Sequence, residues 1–74
     1  MNNAGSTVSL LRWLRRQLRE PTPLREHLEA AVQADDVDEA RRLLERFAFS
    51  ADQRHHVDGL LDAWARELEA RRRR

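Results

Sequence analysis

The feature that most constrains the fold of this chain is a long amphipathic segment near its C-terminal end. Between about residues 51 and 72, apolar side chains recur at the three- and four-residue spacing typical of one face of a helix. That face comprises Val57, Leu60, Leu61, Trp64 and Leu68. A helix of this length spans about 33 Å. Because the chain has only 74 residues, the elements before this helix have to be shorter and pack along it.

Three breaks divide the rest of the sequence. Pro21 ends the first helical segment, because a residue before proline avoids the α region, and Pro23 suits the first position of the next helix. Asp36 and Ser50 are each followed three residues later by Glu or Gln, which predicts two capping boxes. The sequence therefore predicts an all-α fold, a small bundle of three to four helices. The expected helices cover about residues 7–20, 23–34, 37–47 and 51–72.

The segment lengths suggest how these helices pack. We expect residues 7–72 to form one domain, with a flexible N-terminus at residues 1–6 and a flexible basic end at residues 73–74. Helices 2 and 3 form a hairpin that covers one half of helix 4, and helix 1 then covers Trp64 and Leu68. Gly59, in the middle of helix 4, suggests close approach by a neighbour. The sequence leaves open a homodimer, in which helix 1 of each chain covers its partner.

Composition excludes several classes of protein. The chain has no cysteine, so disulfides and cysteine-based metal sites are excluded. No apolar run approaches the length of a transmembrane helix, and Arg12 interrupts the first apolar stretch, so we expect neither a membrane span nor a signal peptide. These observations predict a cytoplasmic protein. Every cation is Arg rather than Lys, which is typical of GC-rich coding and favours a bacterial or phage source.

The few chemically active residues do not form a convergent set. Asp52 with His56, and His55 with Asp58, place carboxylates beside imidazoles on one helix. Neither pair has an evident third ligand or nucleophile, and such pairs are common on exposed helices. There is also no Gly-rich phosphate loop. We therefore expect no enzymatic activity, no cofactor and no metal site.

Charge is distributed unevenly along the chain. Residues 1–20 carry a net charge of +3, residues 21–70 carry −6 and residues 71–74 carry +4. In the first helix, at 100° per residue, four leucines lie on one side and four arginines on the opposite side, with a tryptophan at the seam. The leucines are Leu10, Leu11, Leu14 and Leu18. The predicted partner-binding residues are Arg12, Trp13, Arg15, Arg16 and Arg19.

This basic face allows one structural and three functional interpretations. It is a solvated helix face, or it binds a protein partner, a nucleic acid or a membrane surface. Trp and Arg together are typical of interface hot spots, and Arg binds carboxylates in a bidentate manner. We therefore predict a small adaptor or regulator that binds an acidic surface of a larger protein, with the acidic surface of helices 2 and 3 as an additional contact. Nucleic-acid binding through helix 1 and Arg71 to Arg74 is the first alternative, and membrane association through helix 1 is the second.

Overall fold

A computed structural model describes residues 5–73 of the protein. These residues form four α-helices and no strand, which confirms the predicted all-α bundle. The prediction of flexible ends lies outside the described residues for positions 1–4 and 74, whereas Gly5 and Ser6 belong to the first helix. The helices are α1 (Gly5–Gln17), α2 (Pro23–Gln33), α3 (Val37–Leu44) and α4 (Ala51–Arg72).

Local capping explains where the last three helices begin. The hydroxyl of Thr22 accepts a hydrogen bond from the first turn of α2, and the Ser50 hydroxyl accepts one from the Gln53 amide at 3.1 Å. The Gln53 side chain accepts in return from the Ser50 amide at 2.8 Å, so this predicted capping box is complete. Asp36 caps α3 by accepting from the Glu39 amide at 3.2 Å. Its own amide donates instead to the end of α2, which leaves Glu39 without the reciprocal bond.

Two helices end earlier than the sequence predicts. α1 stops at Gln17 rather than at residue 20, and the carbonyls of Leu18 and Arg19 accept from the Arg25 guanidinium at 2.7 and 3.2 Å. This guanidinium supplies the partners that a further helical turn would have supplied. α3 stops at Leu44 rather than at residue 47. The chain there tightens into turns with bonds between residues three apart, at 3.0 and 3.2 Å, a common ending for a helix.

The four helices form a closed ring in which each runs antiparallel to the next. The Ser6 hydroxyl at the start of α1 donates to Glu67 late in α4. The side-chain Nε2 of Gln53, early in α4, donates to the side-chain oxygen of Gln17 at the end of α1 at 2.7 Å. α2 packs between α1 and α3, and α3 packs on α4.

α3 lies beside α4 at several points: Val37 lines a groove with Leu68, and Arg41 pairs with Asp62 at 3.3 Å. Just after α3, Arg54 donates to the Phe47 carbonyl at 3.3 Å. The prediction that the hairpin covers only one half of α4 is therefore wrong. α1 docks within the monomer.

The core lies along the axis of this ring, and every helix contributes to it. Trp64 is fully buried, as the helical pattern predicts, and Leu10 and Leu14 of α1 are also 0% exposed. Fully burying a leucine or similar side chain stabilises the fold by about 1.5–3 kcal/mol, so docking of α1 is a substantial part of the stability of this small domain. The buried core residues are Leu10, Leu14, Leu28, Ala31, Val32, Ala40, Leu43, Leu44, Val57, Leu61 and Trp64.

The turn between α2 and α3 connects the hairpin to α4 through Asp35. Asp35 has a φ of 59°, the left-handed conformation that ends a helix in a Schellman motif, and its amide and that of Asp36 donate back to the last turn of α2 at 3.1 and 2.9 Å. Its carboxylate accepts from the indole N–H of Trp64 at 3.3 Å and lies 3.9 Å from the Arg71 guanidinium. We call Asp35, Trp64 and Arg71 the Asp35 corner.

Gly59 does not mark a close helix contact. It is exposed on α4, and a Cβ atom built on it would meet no atom within 4 Å outside its own helix. The prediction of a neighbour at this position is wrong. Glycine at this position lowers the stability of the helix, because Gly is less favourable than Ala by about 1 kcal/mol in a helix interior.

Candidate functional site

Three of the predicted binding residues form an exposed row on α1 and just beyond its end. Arg12, Arg16 and Arg19 are exposed, and their guanidinium groups make no ion pair or hydrogen bond with any residue between 5 and 73. α1 itself contains no acidic residue. The row therefore presents cations whose hydrogen-bonding capacity is not used within the described fold.

Arg15 has a different environment from the other three arginines. Its guanidinium lies 3.3 Å from one carboxylate oxygen of Glu29 on α2 and 3.4 Å from the other. The same carboxylate is 3.5 Å from the Nε atom of Arg25. Glu29 is largely buried, with 15% of its side chain exposed, and so it holds two arginines at the junction of α1 and α2. Arg15 thus contributes to the fold as well as to the basic surface.

Trp13 packs within the protein rather than projecting from it. Its ring lies 5.5 Å from that of Phe49, tilted by 54°, and 5.6 Å from that of His56, stacked at 26°. Both separations fall in the range of favourable aromatic pairs. Trp13 is half-buried and packs against the core. Trp13, which the sequence places at the seam of α1, is thus partly covered within the fold, because α4 and the segment before it supply aromatic neighbours on that side.

The remaining surface of Trp13 forms part of a shallow groove between α1 and α4. The groove has a volume of about 310 Å³, and it combines guanidinium groups on its rim with aromatic and aliphatic surface. We call it the α1–α4 groove. It is lined by Ser9, Arg12, Trp13, Arg16, His56 and Leu60.

The other side of α1 carries a small apolar patch. Val8 is 42% exposed and is the only exposed large hydrophobic residue between positions 5 and 73. It lies beside Leu11, Arg12 and Arg15 around a hollow of about 360 Å³. The leucines that would anchor an interfacial helix in a membrane are largely committed to the bundle, since Leu10 and Leu14 are completely buried. Among the residues with described structure, no helix has the length and hydrophobicity to cross a bilayer.

A second groove, between α3 and α4, is acidic rather than basic. It has a volume of about 320 Å³ and an apolar floor that includes Val37 and Leu68. Three of its four acidic residues already have partners: Asp36 caps α3, Asp35 accepts from Trp64, and Glu69 pairs with Arg73 at 3.7 Å. The groove is lined by Asp35, Asp36, Val37, Asp38, Arg41, Ala65, Leu68, Glu69 and Arg72.

The C-terminal arginines are separated from the row on α1. Arg71 and Arg73 pair with Asp35 and Glu69, at the end of α4 that lies near the start of α1. Arg16 and Arg19 lie toward the opposite end of the bundle, where Gln17 meets Gln53. Arg74 lies outside the described residues. The two basic segments that the sequence suggests as a joint nucleic-acid surface are therefore not brought together, as far as residues up to 73 show.

Sequence reasoning missed the α4 side of the groove. His56 appeared only in a candidate acid–histidine pair, and Leu60 only in the core stripe. The missing information is the register of α1 against α4, which pairs Trp13 with His56 and Ser6 with Glu67. Within residues 5–73, the histidines and acids do not gather into a group of three that could hold a metal ion. Protein-family models, curated proteins and solved structures were compared with this chain, and none of them matches it.

Proposed function

We propose that this protein is a small, non-enzymatic, cytoplasmic adaptor or regulator that binds an acidic surface of a larger protein through α1. The observation that supports the proposal best is the row of Arg12, Arg16 and Arg19. These guanidinium groups have no partner among the described residues, whereas Arg15, on the same helix, is already held by Glu29.

The chemistry of the row suits carboxylates. A guanidinium group forms two parallel hydrogen bonds with a carboxylate, which gives both affinity and orientation. The α1–α4 groove adds half-buried aromatic and aliphatic surface from Trp13 and Leu60 directly beside Arg12 and Arg16. Buried aromatic residues next to arginines are typical of the energetic centre of protein interfaces. Trp13 has the role of a groove wall in this proposal, and the arginines make the principal contacts.

A pull-down from nuclease-treated lysate of the source organism tests the proposal. The bait is the full chain, compared with the double variant Arg12→Ala/Arg16→Ala. Both positions are exposed, so we expect the variant to keep its helicity. Its free energy of unfolding should lie within about 0.5 kcal/mol of that of the wild type. Trp13 is left intact, because removing it would also remove its contacts with Phe49 and His56.

Arg66→Ala is the matched control, since Arg66 is also exposed and makes no ion pair within the described residues. We expect wild type and control to recover the same protein and the double variant to lose it. Equal recovery by all three baits would contradict the proposal. Retention on DNA or RNA, with affinity that falls steeply as salt rises, would instead support the nucleic-acid alternative. Binding that requires anionic vesicles would support the membrane alternative.

A further inference from the structure

We infer that the segment recognised by this protein is an acidic amphipathic helix that lies along the α1–α4 groove. In this arrangement, two carboxylates one helical turn apart contact Arg12 and Arg16, and an apolar side chain between them enters the groove against Trp13 and Leu60. The inference rests on the proposed function and specifies the chemistry of the partner.

The spacing of Arg12 and Arg16 sets the first requirement on the partner helix. Arg12 and Arg16 are four residues apart on α1, so they lie on the same side of the helix, separated by about 6 Å along its axis. Carboxylates four residues apart on a second helix have the same separation. A helix running alongside α1 can therefore place one carboxylate on each guanidinium group without distortion.

The fold sets the second requirement, which is that the partner segment is helical. Within the described residues, it has a groove in which a helix can bind but no sheet edge for an extended strand. An extended peptide gains its affinity mainly by hydrogen bonding to the edge of a sheet, and residues 5–73 contain no sheet. A helix satisfies its own backbone hydrogen bonds and needs only a groove for its apolar face. The α1–α4 groove runs between two antiparallel helices, and Ser9 contributes a short side chain to its lining.

The apolar surface of the groove sets the third requirement. Trp13 and Leu60 are both half-buried, and His56 is held against the indole by stacking at 5.6 Å. The volume of about 310 Å³ is at the lower end of the range for ligand pockets, which suits a single anchoring side chain. A bulky apolar residue of the partner helix, placed between its two acids, meets this requirement.

A second copy of this chain is a poor source of such a helix. Asp58 and Asp62 of α4 have the required spacing, but Asp62 pairs with Arg41 at 3.3 Å and Leu61 between them is buried in the core. The acidic groove between α3 and α4 also has the opposite charge, but three of its four carboxylates already have partners: Asp35 accepts from Trp64, Asp36 caps α3, and Glu69 pairs with Arg73. Asp38 is the one acid of its lining that has no hydrogen bond or ion pair among the described residues. This groove would thus offer one unengaged carboxylate to the row of arginines.

Selection of peptides on the purified protein tests the inference and does not require the natural partner to be identified first. The probe is a phage-displayed library of randomised helical peptides, selected on the immobilised full chain at moderate salt. We expect the selected peptides to carry two acidic residues four positions apart with a large apolar residue between them. A selected peptide should bind Arg12→Ala/Arg16→Ala about tenfold more weakly than wild type, and Arg12→Glu/Arg16→Glu on the order of a hundredfold more weakly.

Two matched variants separate the groove from simple charge attraction. Ser9→Tyr adds bulk across the groove at an exposed helical position where Tyr and Ser have similar helix propensity, and it should weaken the peptide about tenfold without changing the charge. Arg66→Ala, on another face, should leave the affinity unchanged. A peptide that binds wild type and Ser9→Tyr equally would show that the groove is not the site, which would overturn the inference.

The other outcomes also decide the question. Peptides that lack paired acids, or a selection that enriches no sequence, would overturn the helix inference while leaving the lysate experiment to judge the proposed function. If sedimentation gives the mass of a dimer for the wild type and of a monomer for Arg12→Glu/Arg16→Glu, a second copy of this chain is the occupant of the groove. That result would overturn the inference as well.

Discussion

The Asp35 corner and the α1–α4 groove contain similar side chains in very different states. In the corner, Trp64 is fully buried, its indole N–H donates to Asp35, and the same carboxylate lies beside Arg71. In the groove, Trp13 is half-buried, and the neighbouring Arg12 and Arg16 have no partner among the described residues.

The difference shows that, among the described residues, tryptophan and arginine side chains are internally paired in one region of this small chain and not in the other. The indole N–H of the buried Trp64 requires a hydrogen-bond partner, and Asp35 supplies it, so this contact contributes to stability. The groove is exposed to water, so its arginines need no internal partner and remain available for contact with another molecule. Composition alone does not distinguish these two states, whereas burial and pairing do.

The largest expected effect tests the corner against the groove through the two tryptophans. Trp64→Ala removes a fully buried side chain and should destabilise the fold by about 3–5 kcal/mol, a large part of the total for a domain of this size. Trp13→Ala removes a half-buried ring and should cost about 1–2 kcal/mol. Denaturant unfolding followed by circular dichroism at 222 nm measures both. If Trp64→Ala does not fold at all, Trp64→Phe can be compared with Trp13→Phe instead. Equal losses of unfolding free energy at the two positions would contradict the difference between the corner and the groove.

The next effect concerns Asp35, which combines a left-handed backbone with the acceptor for Trp64. Asp35→Ala should cost about 2–4 kcal/mol, because alanine is disfavoured at positive φ and the indole N–H loses its partner. Asp35→Gly also removes the carboxylate, with its contacts to Trp64 and Arg71, but it tolerates positive φ and should cost less than Asp35→Ala. Asp35→Asn keeps both an acceptor and tolerance for this backbone, so it should be the mildest of the three. Chemical denaturation gives the order of the three costs, and any other order would contradict the left-handed backbone at Asp35 or its hydrogen bond to Trp64.

The smallest effect concerns Gly59, on the exposed surface of α4. Because a Cβ atom there would meet no neighbour, Gly59→Ala should stabilise the protein by about 1 kcal/mol through helix propensity alone. A rise in the denaturant midpoint at unchanged slope would measure this gain. A loss of stability would reveal a constraint at Gly59 that the described contacts do not include, and the contrast between a tightly fitted corner and an unconstrained outer face of α4 would be weaker.

The features that the sequence predicts correctly are those determined by neighbouring residues. The starts of α2, α3 and α4 follow from side chains that cap the adjacent turn, and the core face of α4 follows from its period. The ends of α1 and α3 are predicted too late. α1 ends where Arg25, from the following helix, takes the carbonyls of Leu18 and Arg19, and a contact of this kind has no local signature.

The candidate site was predicted in part for the same reason. Exposure of Arg12, Arg16 and Arg19 follows from their position opposite the leucines of α1. The direction of Trp13 does not, because a residue at the edge of an apolar stripe is covered or exposed according to what the next helix places beside it. Here the neighbours are Phe49 and His56, more than thirty positions away in sequence. Pairing of Arg15 with Glu29 likewise depends on the packing of α2.

The closing of the ring by α1 and α4 also has a kinetic consequence. Ser6 and Glu67 are separated by 61 positions and Gln17 and Gln53 by 36, whereas α2 and α3 meet across a turn of three residues. Contacts between distant positions form later than local ones, because the intervening chain must first be ordered. The α2–α3 hairpin is therefore expected to form early. α1 is expected to dock late, because its contacts with α4 span nearly the whole chain. The arginines of α1 are present early in synthesis, but the groove beside them also needs His56 and Leu60 of α4. Under the proposed function, binding of a partner would therefore require α1 to be folded against α4.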